Sequence, residues 1–262
     1  LARRGIVSSI CSKNDPAQVR TILDREGLAE YFVAPSVSWE PKGPRLAALV
    51  ETLGLRPATA MFIDDNPLNL EEARRFCPGL QVRGPEAITG LLDDPLFAGR
   101  PDPELSRLKQ YKLLEQRRAD ERAAGADVVA FLRDSRIEVE IETNVEPHLD
   151  RFIELLNRTN QLNFTKRRLT EGAEREEALK LLSAYHKQAA LVRVRDRYGD
   201  HGFCGVYVHN SEGDTLDHFA FSCRILGLGV ERWLYQKLGR PQIAVKGEVL
   251  ADLFDPAPVD WI

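Results

Sequence analysis

Short apolar runs alternate with helical patterns along the first half of the chain. An apolar run between turn residues predicts a strand, and apolar positions three and four residues apart predict a helix. Helical patterns cover residues 15–23, 46–53 and 70–76. The predicted strands cover residues 5–11, 32–33, 37–39, 60–63 and 81–82. Strands that alternate with helices indicate a parallel sheet with helices on both of its faces.

The second half of the chain has a different pattern. Residues 137–142 alternate apolar and charged side chains, which predicts a half-buried strand. Three further strands are predicted to form an antiparallel meander, at residues 189–195, 203–209 and 216–222. Helical patterns cover residues 148–157, 171–185 and 230–238, and a last strand is predicted at 242–246. The pattern predicts an α+β domain with a mixed, mainly antiparallel sheet.

The two patterns meet in a stretch of charged and turn-forming residues. Residues 93–103 are rich in Pro, Asp and Gly, and residues 105–122 read as a solvated, charged helix. We therefore predict one domain at residues 1–100, a charged helical linker at 101–135 and a second domain at 136–262.

Composition and charge restrict the class of protein. A hydrophobic content of 43% and a charged content of 29% are typical of a soluble globular protein. The net charge of -4 creates no basic field for nucleic acid, and no apolar run reaches the ~20 residues that span a bilayer. The four cysteines form no C-x-x-C pair, which fits a reducing cytoplasm and argues against a cysteine zinc site.

Polar residues stand where predicted strands and loops of the first domain end. Ser12 follows the first strand, Lys42 lies in a loop, and Asp64 and Asp65 follow a later strand. A hydroxyl and a lysine can hold a phosphoryl group, and paired carboxylates can hold Mg²⁺ through oxygen. Taken singly, the two aspartates also suit helix capping before Pro67, and Lys42 also suits a solvated surface position.

A glycine loop joins the last strand of the meander to a helix. The loop is Arg224-x-x-Gly227-x-Gly229, and its glycines and the first helical N–H groups suit a phosphate or pyrophosphate. The alternative is a tight turn whose glycines serve packing. Cys223 is the candidate nucleophile, because Arg224 and the helix N-terminus both favour a thiolate. The alternative for Cys223 is a buried structural thiol.

Two further groups of polar residues belong to the second domain. The amides of Asn160, Gln161 and Asn163 follow an amphipathic helix, where they indicate either a pocket edge or a hydrogen-bonded turn. Asp200 and His201 lie in the predicted turn between two strands and could supply a base.

Several strings together resemble the FkbH-like family. They are Ser12-Lys-Asn-Asp15, Trp39-Glu-Pro-Lys42, Phe62-Ile-Asp-Asp-Asn-Pro67, Thr159-Asn-Gln-Leu-Asn163, Asp196-Arg-Tyr-Gly-Asp-His-Gly202 and Ser222-Cys-Arg-Ile-Leu-Gly227. In that family a phosphatase-like domain of the haloacid dehalogenase (HAD) superfamily, subfamily IIIC, precedes a GNAT-like acyltransferase domain. The resemblance covers residues 1–239. It implies a partial HAD-like Rossmannoid parallel sheet followed by a GNAT-like α+β domain.

The resemblance also implies a function and its residues. Members take a glyceryl unit from a phosphorylated three-carbon donor, remove the phosphate and deliver the acyl group to an acyl carrier protein in polyketide-type biosynthesis. We therefore expect Mg²⁺ in the HAD half and the phosphopantetheine of a carrier protein. The implied catalytic residues are Ser12, Lys42, Asp65 and Cys223, with Asp64 on the metal. The implied acyl- or phosphopantetheine-binding residues are Arg224, Gly227, Gly229, Asn160, Gln161 and Asn163.

One departure from the family pattern leaves three functions open. A HAD domain carries an Asp-x-Asp motif after its first strand, and no such motif precedes Ser12 in this sequence. We expect the native chain to supply it ahead of residue 1, and otherwise the phosphatase step is lost. The second possibility is a binding module for a carrier protein, without chemistry. The third is a phosphatase for a small metabolite, which leaves the second domain unexplained.

Overall fold

The computed structural model describes residues 1–125 and 127–262. The chain forms two compact units, Leu1–Arg118 and Ala119–Ile262. The division falls inside the predicted linker of 101–135. No helix in the two described ranges is long and apolar enough to cross a membrane.

Short parallel strands and longer helices alternate in the first unit. The strands are β1 (Cys11–Ser12), β2 (Ser36–Val37), β3 (Met61–Ile63) and β4 (Gln81–Arg83). The helices are α1 (Pro16–Arg25), α2 (Lys42–Thr52), α3 (Pro67–Phe76) and the beginning of α4 (Ser106–Ala124). β1 pairs with β2, β3 pairs with β4, and both pairs are parallel.

The first unit departs from the predicted single sheet. Its strands form two separate two-stranded sheets, so β1 and β3 each have one paired edge. The apolar run of 5–11 is a strand only at its end, and Ser8 makes a single parallel bridge to Phe32. Side chains of both pairs still pack into one cluster with α2 and α3, where Phe62, Leu46 and Ala73 are buried and Cys11 is packed at the margin.

Side-chain caps followed by proline start two helices of the first unit, the predicted one at Asp15-Pro16 and one at Pro67, where the cap is Asn66 and not Asp64 or Asp65. Asp15 accepts a hydrogen bond from the backbone N–H of Gln18 (2.9 Å) at the start of α1, and Pro16 takes the first helical position. Asn66 accepts from the N–H of Leu68 (2.9 Å) at the start of α3, again followed by proline. Each cap satisfies an N–H group that has no partner inside its helix.

The second unit contains a five-stranded antiparallel sheet. Its strands are β5 (Glu138–Glu142), β6 (Leu162–Asn163), β7 (Lys187–Asp196), β8 (Gly199–Asn210) and β9 (Thr215–Phe221), in the order β5-β7-β8-β9-β6. The helices are α5 (Val128–Asp134), α6 (Leu149–Arg158), α7 (Glu174–Ser183) and α8 (Val230–Lys237). The strand predicted at 242–246 is reduced to one bridge, between Gln242 and Thr215. The chain as a whole is therefore mixed α/β, with parallel pairs in one unit and an antiparallel sheet in the other.

Two apolar cores cover opposite faces of this sheet. Phe219 and Phe221 of β9 pack against Leu234 of α8 on one face. Ala220 of β9 packs with Phe152 of α6 and other apolar residues on the opposite face. The alternation follows from the period of two along a strand, and it fixes which β9 side chains point to α8 and which to α6 and α7.

Candidate functional site

Lys42 and Asp64 form a buried ion pair in the first unit. Lys42 begins α2 and Asp64 follows β3, and the Nζ and Oδ2 atoms lie 2.5 Å apart. The other oxygen, Oδ1, accepts hydrogen bonds from the N–H of Asn66 and from Nδ2 of Asn69, each 2.9 Å long. Burial alone raises the pKa of Asp64, but the hydrogen bonds from Lys42, Asn69 and Asn66 outweigh it, and the net pKa is lowered. Both oxygens of Asp64 are thus already engaged.

Further positively charged side chains lie at the ends of β1 and β3. Lys13 Nζ lies 3.4 Å from Oδ1 of Asn69, and Arg45 donates to the carbonyl of Ser12 (3.0 Å). Burial raises the pKa of Cys11, which is opposed by the nearby charges of Arg45 and Lys42. The structure therefore brings the end of the first strand, with half-buried Ser12, close to the Lys42–Asp64 pair. This arrangement suits an anion such as a phosphoryl group.

The described residues do not by themselves make a magnesium site. Asp65 is exposed, and both oxygens of Asp64 already accept hydrogen bonds. Within the described ranges, no group of three or more His, Cys, Asp or Glu residues could hold a metal ion. The role of Asp64 as a metal ligand stays a prediction. A surface cleft of about 480 Å³ in the same unit is lined by Arg3, Arg4 and Leu92 and contains none of the predicted site residues.

The glycine loop of the second unit joins β9 to α8 as predicted. A single 3₁₀ turn, Cys223–Ile225, comes first, and Ser222 caps it. Gly227 has φ +83 and is exposed, and Gly229 has φ +75 at the N-cap of α8. Both values lie in the left-handed region that favours glycine. A side chain at Gly229 would also place its Cβ 3.0 Å from Trp261.

Arg224 turns towards the sheet. Its Nη1 donates to the backbone carbonyl of His201 (3.1 Å), and the thiol of Cys204 donates to the same carbonyl (3.0 Å). Burial lowers the pKa of Arg224 and raises the pKa of Cys204 to about 11. Cys223 is half-buried beside Arg224. Of the two thiols in this unit, Cys223 is therefore the accessible one.

The partner of His201 is Asp196, which the sequence reading missed. His201 Nε2 lies 2.9 Å from Oδ2 of Asp196, and both side chains are almost fully buried. Asp200, the other residue predicted to supply a base, is held by Arg193, and this hydrogen bond lowers the pKa of Asp200 to about 2. The sequence feature that could have identified Asp196 is the turn that it begins. Oδ1 of Asp196 accepts hydrogen bonds from the N–H groups of Tyr198 (2.9 Å) and Gly199 (3.2 Å), as aspartates in turns commonly do.

The three predicted amides are divided between two places. Asn160 and Gln161 precede β6 in a turn, where the carbonyl of Asn160 accepts hydrogen bonds from the N–H of Asn163 (3.3 Å) and from Nζ of Lys166 (2.7 Å). Asn160 is exposed there. Asn163 is instead buried in the sheet, where its Oδ1 accepts from the N–H of Lys166 (2.8 Å).

Glu231 is a second residue that the sequence reading missed. It lies in the first turn of α8, is 4% exposed, and its Oε2 has no hydrogen-bond partner in the part of the chain that the structure describes. Burial raises the pKa of this carboxyl to about 7. A carboxyl of this kind beside a glycine loop can exchange a proton near neutral pH.

In comparisons with models of protein families, with curated proteins and with solved structures, nothing matched this chain.

Proposed function

We propose that the chain is an FkbH-like acyltransferase, with a HAD-like first unit and a GNAT-like second unit. It transfers a glyceryl or related acyl group from a phosphorylated three-carbon donor to an acyl carrier protein. The observation that carries this proposal is the position of Cys223. The thiol is half-buried and stands directly before Arg224 at the junction of a strand, a glycine loop and a helix. The motif strings that resemble the family support it.

The proposed chemistry uses Cys223 as the nucleophile. Its thiolate attacks the carbonyl carbon of an acyl phosphate, a carbon–sulfur bond forms, and the bond from that carbon to the phosphate oxygen breaks. Phosphate leaves with the electron pair of the broken bond. When the donor is 1,3-bisphosphoglycerate, the product is a 3-phosphoglyceryl thioester, and a water molecule must hydrolyse the remaining phosphate ester, with release of a second phosphate, to give the glyceryl group. Cys223 then passes the acyl group to the thiol of the carrier, and the proton of that incoming thiol goes to the departing sulfur of Cys223.

We propose that the first unit binds a phosphoryl group. Lys13, Lys42 and Arg45 supply positive charge around the end of β1, where Ser12 offers a hydroxyl. Asp65 has an exposed carboxylate that would act as a general acid or base. The magnesium ion that the resemblance implies would need oxygen ligands beyond Asp64 and Asp65.

The test is a carrier-acylation assay followed by intact-protein mass spectrometry. The protein is incubated with 1,3-bisphosphoglycerate and an acyl carrier protein that bears phosphopantetheine. We expect the carrier to gain one acyl group with wild-type protein and with Cys77→Ser, a buried thiol in the other unit. Cys223→Ser should abolish the transfer. Equal transfer by Cys223→Ser and wild type would remove Cys223 from the mechanism.

The alternative is a binding module that holds a carrier protein without chemistry. The engagement of both Asp64 oxygens by Lys42, Asn69 and the Asn66 N–H favours it, because the resemblance assigns that carboxylate to the metal ion. A binding module predicts carrier affinity in calorimetry with no acyl transfer from any donor. It also predicts the same affinity for Cys223→Ser.

A further inference from the structure

The N-terminus of α8 carries a buried carboxyl group. Glu231 is the second residue of α8 and is only 4% exposed. The Cα–Cβ bonds of a helix tilt towards its N-terminus, so this side chain lies over the start of α8. Its carboxylate accepts a hydrogen bond from the residue's own N–H, whereas Oε2 has no partner among the residues that the structure describes. Because buried polar atoms are rarely left without a partner, this oxygen points to a ligand.

The glycine loop leaves hydrogen-bond donors at the same place. The first N–H groups of an α-helix have no partner inside the helix, and the N-cap Gly229 has no side chain that could supply one. Gly227 is exposed and Gly229 is half-buried, so this backbone can be reached from solvent. The carbonyl of Leu228 is already occupied, because the indole of Trp261 donates to it (2.8 Å). Unpaired N–H groups at a helix N-terminus favour an anion.

The ionised carboxylate of Glu231 competes with any such anion. It places a negative charge against the N–H groups that the anion needs, and the two like charges repel each other. The protonated carboxyl has no charge, and its O–H can donate to an oxygen of the anion. Burial raises the pKa of Glu231 to about 7, although its own N–H and the charge of Arg232 oppose this shift. Both forms of Glu231 are therefore populated near neutral pH.

The charged groups close to this end of α8 have partners of their own. Arg232 binds Asp255 in the C-terminal segment and lies over the ring of Trp261. Arg224, at the start of the loop, donates to the carbonyl of His201 (3.1 Å). In the same C-terminal segment, Asp260 binds Arg133 (2.7 Å).

Other titratable side chains lie on α8 and on the elements packed against it. They are Tyr235, Tyr207, Cys204, Cys223 and the His201–Asp196 pair. Burial raises the pKa of both tyrosines and raises the pKa of Cys204 to about 11, so these three groups are uncharged at neutral pH. A Glu231→Gln variant separates the titration of Glu231 from that of the neighbouring His201.

We propose that the N-terminus of α8 binds the phosphate of a phosphopantetheine group in place of the negative charge of Glu231, so that the carboxyl takes up a proton as the phosphate binds. This inference rests on the proposed function, which gives the glycine loop its phosphopantetheine. It adds Glu231 as the residue that makes this binding depend on pH. Binding is tight where Glu231 is protonated and weakens as the pH rises and Glu231 ionises.

The test is a calorimetric titration with dephospho-coenzyme A at pH 6 and pH 8. The pyrophosphate of this probe does not titrate in that range, so a change in its affinity reports on the protein. Above pH 7 the protonated fraction of Glu231 falls about tenfold for each pH unit, so the wild type should bind about tenfold more weakly at pH 8 than at pH 6. At pH 8, binding should also take up close to one proton, measured in buffers of different ionisation enthalpy.

The control variants change one carboxyl at a time. Glu231→Gln keeps the size of the side chain but cannot ionise, so it should bind at pH 8 as tightly as the wild type does at pH 6, without proton uptake. Glu146→Gln, which changes an exposed acid of the same unit, is the matched control and should keep the wild-type pH dependence. Pantetheine, which has no phosphate, should bind equally at both pH values.

Three results would overturn this inference. They are equal affinity of the wild type for dephospho-coenzyme A at both pH values, no binding at either, and a wild-type pH dependence in Glu231→Gln. The proton uptake is measured on the wild type, so the test does not depend on the folding of a variant. Acyl transfer by Cys223 is a separate assay. Its absence together with binding that depends on Glu231 would count against the proposed function and leave this inference standing.

Discussion

His218 should make the second unit sensitive to acid. Burial lowers its pKa from 6.5 to about 4. The unfolded chain therefore binds a proton between these values while the native state does not, and stability falls as the pH drops from 6.5 towards 4. The shift corresponds to about 3 kcal/mol.

Glu231 should act in the opposite direction. Burial raises its pKa from 4.5 to about 7, so the native state keeps a proton that the unfolded chain releases. Stability therefore falls as the pH rises from 4.5 through 7, again by about 3 kcal/mol. In the wild type the two effects oppose each other between pH 4.5 and 6.5.

Single variants separate these two effects. In Glu231→Gln, the free energy of unfolding should rise steadily from pH 4.5 to 6.5, because the His218 term is then unopposed. In His218→Phe, the free energy of unfolding should fall over the same range. Urea titrations at pH 4.5, 5.5 and 6.5 measure both slopes. If both variants keep the wild-type slope, the two groups do not have these shifted pKa values.

Removing only one partner of the Lys42–Asp64 ion pair should lower the free energy of unfolding. Lys42→Met leaves the carboxylate of Asp64 buried without its cation, so we expect a loss of about 3–5 kcal/mol in the free energy of unfolding. The double variant Lys42→Met with Asp64→Asn removes both charges and should recover most of that loss. An equal loss in the single and the double variant would show that the charge of Asp64 is not the cause.

At the scale of elements, β8 and β9 touch through a glycine. A Cβ at Gly205 would lie 2.5 Å from the ring of Phe221 and 3.0 Å from Val192. Both neighbours belong to a close-packed core, so neither has room to move away. At Gly205 there is therefore no room for a side chain between β8 and its neighbours β7 and β9.

Gly205→Ala should lower the free energy of unfolding by about 1–3 kcal/mol, as overpacked cores do. Gly213→Ala is the matched control, because its nearest neighbour would be Thr215 at 3.5 Å, an ordinary contact. We expect the control to change stability by less than about 0.5 kcal/mol. Chemical denaturation of the two variants measures the difference, and equal losses would place the strain outside the β8–β9 contact.

Local signals in the sequence predicted elements whose causes are local. The Asp15-Pro16 pair starts α1 as predicted, since a cap depends only on neighbouring residues, whereas α3 is capped by Asn66 and not by Asp64 or Asp65. The alternation of 137–142 became β5 for the same reason. The strand predicted at 242–246 is wrong: Gln242 makes one bridge to Thr215 and the N–H of Lys246 donates to the carbonyl of Phe164 (2.8 Å), so the segment does not follow a single neighbouring strand.

The candidate sites could be predicted only in part, because some of their residues depend on contacts between distant segments of the chain. The glycine loop is a local signal, and it stands between β9 and α8 as expected. The burial of Asp196, His218 and Glu231 depends on how distant segments pack, so their roles appear only in the folded chain.

At the scale of the whole molecule, the sequence pattern predicted a parallel half and an antiparallel half, and both are found. The extent of the first sheet was not predicted. Its strands have two or three residues each, and they form two pairs because nothing in the described chain joins β1 to β3. Hydrophobic periodicity identifies a strand but does not give its neighbours.

The measurement that tests the central claim most directly is tandem mass spectrometry of the acylated protein. The protein is incubated with 1,3-bisphosphoglycerate in the absence of carrier, digested at low pH, and the modified peptide is sequenced. The account predicts one thioester, on Cys223, which carries a 3-phosphoglyceryl group or, after hydrolysis of the C3 phosphate ester, a glyceryl group, and which disappears when a carrier bearing phosphopantetheine is added. An adduct on Cys11, Cys77 or Cys204 instead, or no adduct while the carrier is still acylated, would contradict it.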